Sequence, residues 1–226
     1  MRIFLVRNVP VARWSSPTPL NLRPRVLTLM HLCFGLFLFG FGEAMLIASG
    51  AGVSPWTVLA QGVARYLDIS IGTATFAVSI LVLLTWIPLR QRPGIGTILN
   101  VIVIAATIEL VLPYLPVAPD ITLQAIEVIT GILLVGLGSG IYLIANLGAG
   151  PRDGLMTGLQ RFTRFPIAWV RVGIEVTVVA IGWILGGVVG IGTVVFALGI
   201  GPAVSAGLYL TAWANGIKVR GASRAQ

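Results

Sequence analysis

The sequence predicts an all-α polytopic membrane protein of six transmembrane helices, arranged as two inverted three-helix repeats. Three observations lead there. Of the 226 residues, 57% are hydrophobic and only 10% charged, with a mean hydropathy of +0.98, too little polar surface to cover a water-soluble globule. Six apolar stretches approach the roughly 20 residues a helix needs to cross a bilayer. Finally, residues 40–106 repeat as residues 136–202 at a constant offset of 96 without a gap: FGFG, GxxP, LxxG and GIGT return as VGLG, GxxP, LxxG and GIGT.

The elements follow in chain order. Residues 1–25 form a basic N-terminal arm carrying Arg2, Arg7, Arg13, Arg23 and Arg25. Pro10, Pro17, Pro19 and Pro24 argue against the amphipathic helix of a transit peptide, so a cytoplasmic and largely disordered segment is expected. Repeat 1 occupies 26–118, with apolar spans near 26–49, 69–89 and 95–115. The first of these is too long for a cleaved signal and reads as an uncleaved anchor. Repeat 2 occupies 119–214, with spans near 121–146, 165–186 and 191–214, and a basic tail fills 215–226. After spans 1 and 4, glycines and then Pro55 or Pro151 mark a helix break followed by a short interrupted or re-entrant helix. Gly52, Pro55, Gly148, Gly150 and Pro151 are the break and hinge positions.

Orientation follows from the cations. All Lys and Arg except Arg65 fall on loops or ends assigned to one side, which places both termini in the cytoplasm. The net charge of +8 is then a topology signal and no pointer to nucleic acid. Because each repeat holds an odd number of spans, the second copy enters the membrane from the side opposite to the first. Folds of that kind can expose one central site to either face.

The run LGAGPRDGLMTGLQRFTR at 147–164, followed by VRVGIEVTVVAIGWILGGVVGIGTVVFALGIGP at 170–202, resembles the YczE/YitT-like family of bacterial integral membrane proteins. GVSPW at 52–56 and WIPLRQRPGIGTILN at 86–100 are similar to that family's N-terminal half. The resemblance covers nearly all of 33–212 and implies a polytopic protein of the bacterial inner membrane. It brings no substrate and no catalytic residue with it.

Charges at membrane depth carry the functional candidates, since a carboxylate in hydrocarbon must be paired, protonated or wetted. Glu43, Glu109, Glu127 and Glu175 all fall within spans. The offset aligns Glu43 with Ser139, Ser79 with Glu175 and Glu109 with Ser205, so one copy keeps the charge where the other keeps a hydroxyl. Solvation at an interface is the simpler reading for Glu109 and Glu127. Arg171 and Glu175, four apart on one helix face, form an intrahelical pair that is either structural or a gate. Arg152 and Asp153 open the second short helix, where exposed amides, a positive helix end and a guanidinium together suit an anion; a capped helix on the cytoplasmic face is the alternative. Asn146 stands at the same break. In the first copy Trp56 and Thr57 replace Arg152 and Asp153.

The remaining signals are structural. His31 has no acid or Cys at metal-ligand spacing, Cys33 is a lone packing residue, and the Trp residues read as headgroup anchors at span ends. GLGSG lacks the strand a dinucleotide site needs. No metal, cofactor or catalytic triad is expected. The expected function is a small secondary transporter or permease for an unidentified small solute, organic or anionic, with Glu43, Asn146, Arg152, Asp153, Arg171 and Glu175 along its pathway. The alternative is a non-transporting membrane protein that docks or regulates a partner, either a second copy or another protein. Convergence of the charges on one internal cavity discriminates between them.

Overall fold

The computed structural model describes residues 9–217, and their regular secondary structure is all helical. The helices are α1 (Val26–Ser49), α2 (Pro55–Leu67), α3 (Ile71–Thr85), α4 (Ile95–Val111), α5 (Ile121–Ala145), α6 (Pro151–Thr163), α7 (Ile167–Ile184) and α8 (Ile191–Ala214), with a 3-10 turn at Leu112–Tyr114. Helices α1, α5, α7 and α8, together with α4 extended through its 3-10 turn, are long and apolar enough to cross a membrane. Helix α3, at 15 residues, rises only about 22 Å, short of a hydrocarbon core of roughly 30 Å. It joins α2 at a bend of 113°, and the two together make the sixth candidate crossing.

The repeat is visible in the backbone. Four pairs of positions 96 apart share positive φ: Gly50 and Asn146 (65° and 51°), Gly52 and Gly148 (113° and 119°), Asp68 and Arg164 (55° and 60°), and Arg90 and Gly186 (52° and 97°). Such values are rare outside glycine, so their recurrence at Asp68, Arg90, Asn146 and Arg164 marks a duplicated chain path. Helices α2 and α6 both start at a proline and end on a left-handed residue.

Close glycine contacts fix how the copies meet. A Cβ on Gly35 would strike Gly138, and one on Gly42 would strike Gly131. Adding the offset to one contact gives the other, the reciprocal pattern of a two-fold relation. Advancing along α1 retreats along α5, so these central helices are antiparallel. Helices α5 and α8 instead advance together, Gly136 meeting Ala203 and Gly140 meeting Gly207. Small residues in each case let backbones approach within touching distance.

The GIGT motif docks each half onto the break of the other. Gly96 N donates to Leu147 O (2.7 Å), and Gly192 N donates to Ala51 O (2.8 Å). Thr97 Oγ1 donates to Ala149 O (2.7 Å) while accepting from Gly94 N. Side chains on Gly52 or Gly148 would collide with Gly190 and Thr193, or with Gly94 and Thr97. The motif pairs that recur in the sequence therefore hold one another in space.

Residues 9–25 differ from the disordered arm the prolines suggested. Trp14 is buried, and its Nε1 donates to Asn215 Oδ1 (2.9 Å). The Thr28 hydroxyl donates to Trp14 O, Ser15 Oγ to Ile144 O, and Ser16 N to Ala145 O. Helix ends leave carbonyls without intrahelical partners, and this strap satisfies those of α5. Residues 1–8 and 218–226, which complete the expected arm and tail, lie outside the described residues.

Candidate solute site

Glu43 sits in the last third of α1, fully buried. Its Oε2 accepts from Ser54 Oγ (2.9 Å) and Thr57 Oγ1 (2.7 Å), both buried at the start of α2. Ser54 is the N-cap of α2, yet its hydroxyl serves the carboxylate rather than the helix amides. The carboxylate thus lies at the positive end of a helix, where negative charge is favoured. Its Oε1 has no hydrogen-bond partner among the described residues.

The second half has the same parts exchanged. The position equivalent to Glu43 is Ser139, and that equivalent to Thr57 is Asp153. Each half therefore keeps one acid and one hydroxyl, with the acid on the long helix in the first and on the short helix in the second. Asp153 Oδ2 accepts from Tyr142 Oη (2.9 Å) across the α5–α6 junction. Next to it, the half-buried Arg152 guanidinium lies 5.4 Å from the centre of the Trp56 ring.

Trp56 and Arg152 are themselves equivalent positions, so they meet where the halves meet. Two arginines there would repel; an arginine on an indole face is attracted. No described residue accepts a hydrogen bond from the guanidinium, which leaves its donors for another occupant. Farther along, Arg171 Nε donates to Glu175 Oε1 (2.9 Å), opposite their equivalents Thr75 and Ser79.

These groups surround one cavity of about 400 Å³. Its lining pairs off across the repeat: Phe39 with Val135, Ser54 with Gly150, Pro55 with Pro151, Trp56 with Arg152, Thr75 with Arg171, Ser79 with Glu175, Asn100 with Phe196 and Ile104 with Ile200. Arg152, Asp153, Arg171 and Glu175 line it directly, and Glu43 lies behind Ser54 and Thr57.

Other candidates stand elsewhere. Asn146 ends α5 with left-handed backbone, and its side chain donates to Ser16 O (2.9 Å), holding the strap rather than facing the cavity. Gly150, Pro55 and Pro151 line the cavity, whereas Gly52 and Gly148 serve the docking of GIGT. Glu109 is exposed on α4 beside Gly72, and Glu127 is buried in α5 with Oε2 unpartnered, unlike the solvated position expected for it. His31 stacks on Trp14 at 4.3 Å. Trp14, Trp56 and Trp86 are buried, so only Trp169, Trp183 and Trp213 are exposed as headgroup anchors would be. Among the described residues, no three of His, Cys, Asp and Glu gather to hold a metal ion.

Sequence reasoning missed Ser54, Thr75, Asn100 and Tyr142 as parts of the site. The offset contained the signal for Thr75, because its equivalent is Arg171.

Residues 26–207 match the model of a family of unknown function, DUF6198. The chain belongs to this family. An uncharacterized protein of Haemophilus influenzae is 40% identical over 199 residues, covering 88% of this chain and 90% of that protein. The uncharacterized membrane protein YczE of Bacillus subtilis is 33% identical over 166 residues, covering 73% and 77% respectively. The uncharacterized protein YyaS of Bacillus subtilis is 26% identical over 176 residues. No solved structure matches. The DUF6198 region runs from the start of α1 into the last third of α8, so it contains every residue lining the cavity and leaves out the Trp14 strap. Its several long apolar helices make this DUF6198 protein a multi-pass membrane protein.

Proposed function

We propose that the protein is a small secondary transporter of the bacterial inner membrane, both termini cytoplasmic, carrying a solute with an anionic group. One observation carries this reading: Arg152, Asp153, Arg171 and Glu175 converge, with Glu43 behind them, on a cavity formed jointly by the two halves. Charges serving a docking surface would instead lie at headgroup level or face lipid. Antiparallel α1 and α5 support inverted repeats, and the cation distribution supports the orientation.

Arg152 is the group for the anion. It is planar, permanently charged and without an acceptor among the described residues, so it can bind carboxylate or phosphate in bidentate fashion. Glu43 and Asp153 supply nearby negative charge to it when the cavity is empty. Nothing in this role calls for a cofactor or for bond chemistry.

The reading is tested by screening carboxylates, phosphates, amino acids and amines for electrogenic or counterflow transport in proteoliposomes. Arg152→Gln and Gly201→Leu serve as blocked forms. Gly201 lines the cavity, and a Cβ there meets nothing within 4 Å, so a larger side chain can be placed at the cavity wall. Transport of an anionic solute, lost in both variants, is expected. Transport unchanged by both variants, or none across the library, overturns the reading.

A further inference from the structure

The polar cavity has a larger apolar neighbour. Between α3 and α7 runs a groove of about 1130 Å³, walled by Val78 and Val82 on one side and Ile174 and Val178 on the other, with Leu59 and Leu155 beneath. The groove is open at the protein surface, and its branched aliphatic walls suit an apolar occupant. Gly173 stands on the wall, and a Cβ on it would meet nothing within 4 Å.

Groove and cavity are neighbours at one seam. Both are lined by Trp56, and a void of about 10 Å³ between them touches Trp56, Arg152, Thr75 and Val82. At that seam stands the Trp56–Arg152 contact, a non-covalent cation–π pair. An anion that draws the guanidinium away from the indole opens the polar volume onto the apolar one. A wholly polar solute has no use for that connection.

Building on the transporter reading above, we propose that the solute is an amphipathic anion entering sideways from the bilayer. Its charged head pairs with Arg152 in the cavity while its hydrocarbon tail lies in the α3–α7 groove. Charge complementarity selects the head, and the adjacency of the two volumes across the Trp56–Arg152 contact selects a single molecule spanning both. The apolar walls of the groove accept a chain without specific contacts, so specificity resides in the head group.

The test uses dodecyl phosphate bearing a photoreactive diazirine at the end of its chain, with the protein in phosphatidylcholine nanodiscs and crosslinks mapped by mass spectrometry. Crosslinks are expected on α3 and α7 around Val78, Val82, Ile174 and Val178. They should fall about tenfold or more in Arg152→Gln, as loss of a charge-assisted hydrogen bond implies. Arg152→Lys, which keeps the charge, should retain part of the signal and controls for folding. Gly173→Leu should abolish groove labelling by filling the space.

Groove labelling by the matching diazirine dodecanol as strong as by the phosphate would mean that ordinary bilayer chains fill the groove, and would overturn the proposal. So would protection of the groove by crosslinks to a second copy. If Arg152→Gln and Gly201→Leu lower dodecyl phosphate binding while Gly173→Leu does not, the lateral tail site is wrong and the transporter reading survives. If none of the three variants lowers it, both fall.

Discussion

Gly154→Val and Trp86→Ala, made singly and together, test whether the two halves are built on one joint. In the first half, the backbone of α2 at Val58 and Leu59 lies against Gly182 of α7, so closely that a Cβ on Gly182 would come within 2.5 Å of Leu59 N. In the second half the equivalent positions carry the reverse sizes: Gly154 of α6 faces the Trp86 ring, which fills the place a side chain at 154 would take. Trp86 is 3% exposed, and its Nε1 donates to Pro151 O (3.0 Å). Removing it should cost about 3–5 kcal/mol through the cavity left behind. Valine at 154 alone should cost about 1–3 kcal/mol by overpacking against the indole. Together they rebuild the valine-against-small arrangement of the other half, so the pair should be less harmful than the two costs combined, by at least about 1 kcal/mol. Unfolding in mixed detergent–SDS micelles supplies the four free energies. Additivity within about 0.5 kcal/mol would refute the reasoning that the joint is shared.

Gly148→Ala should destabilise by about 1–3 kcal/mol in the same assay, since φ is 119° there and the new Cβ would meet Thr97 Oγ1 at 2.7 Å. Glu43→Gln keeps an acceptor for Ser54 and Thr57 and should fold normally, whereas Glu43→Leu strands two buried hydroxyls and should cost about 1–3 kcal/mol. The Gln variant also removes a negative charge near Arg152, so anion affinity measured by calorimetry should rise. Trp14→Ala should release the strap and speed tryptic cleavage after Arg13 and Arg25 while the helical core stays intact, as gel fragments read out directly.

Much of this fold is legible in the sequence because its special backbone positions were duplicated with it. Gly52 and Gly148, Pro55 and Pro151, and the two GIGT runs marked breaks and helix starts at positions that the helices then adopted. The meeting of GIGT with the opposite break was not legible, since a periodic match says what recurs and nothing about which copies touch. The strap was misjudged for a related reason. Its prolines correctly exclude a helix, but an irregular segment can still be fixed when neighbouring helix ends offer unpaired carbonyls, as Ile144 and Ala145 do to Ser15 and Ser16.

The site divides along the same line. Arg171 and Glu175 were identifiable as charges inside an apolar span, and Arg152 and Asp153 as a guanidinium and a cap at the start of a short helix. Ser54 and Tyr142 are ordinary residues in a sequence, and only proximity to Glu43 and Asp153 gives them a role. Asn146 carried the same signal as Arg152, a polar residue at the break, yet its amide turns to the strap.

In the proposed transporter the shared cavity opens to each face of the membrane in turn. With Cys33→Ala as background, Ser139→Cys places one thiol on the cavity wall. Membrane-impermeant maleimide is then applied to right-side-out and inside-out vesicles in parallel. The account predicts labelling from both faces, slowed in each case by the transported anion. Labelling confined to one face whatever the solute would contradict it and leave a fixed pocket that opens on one side only.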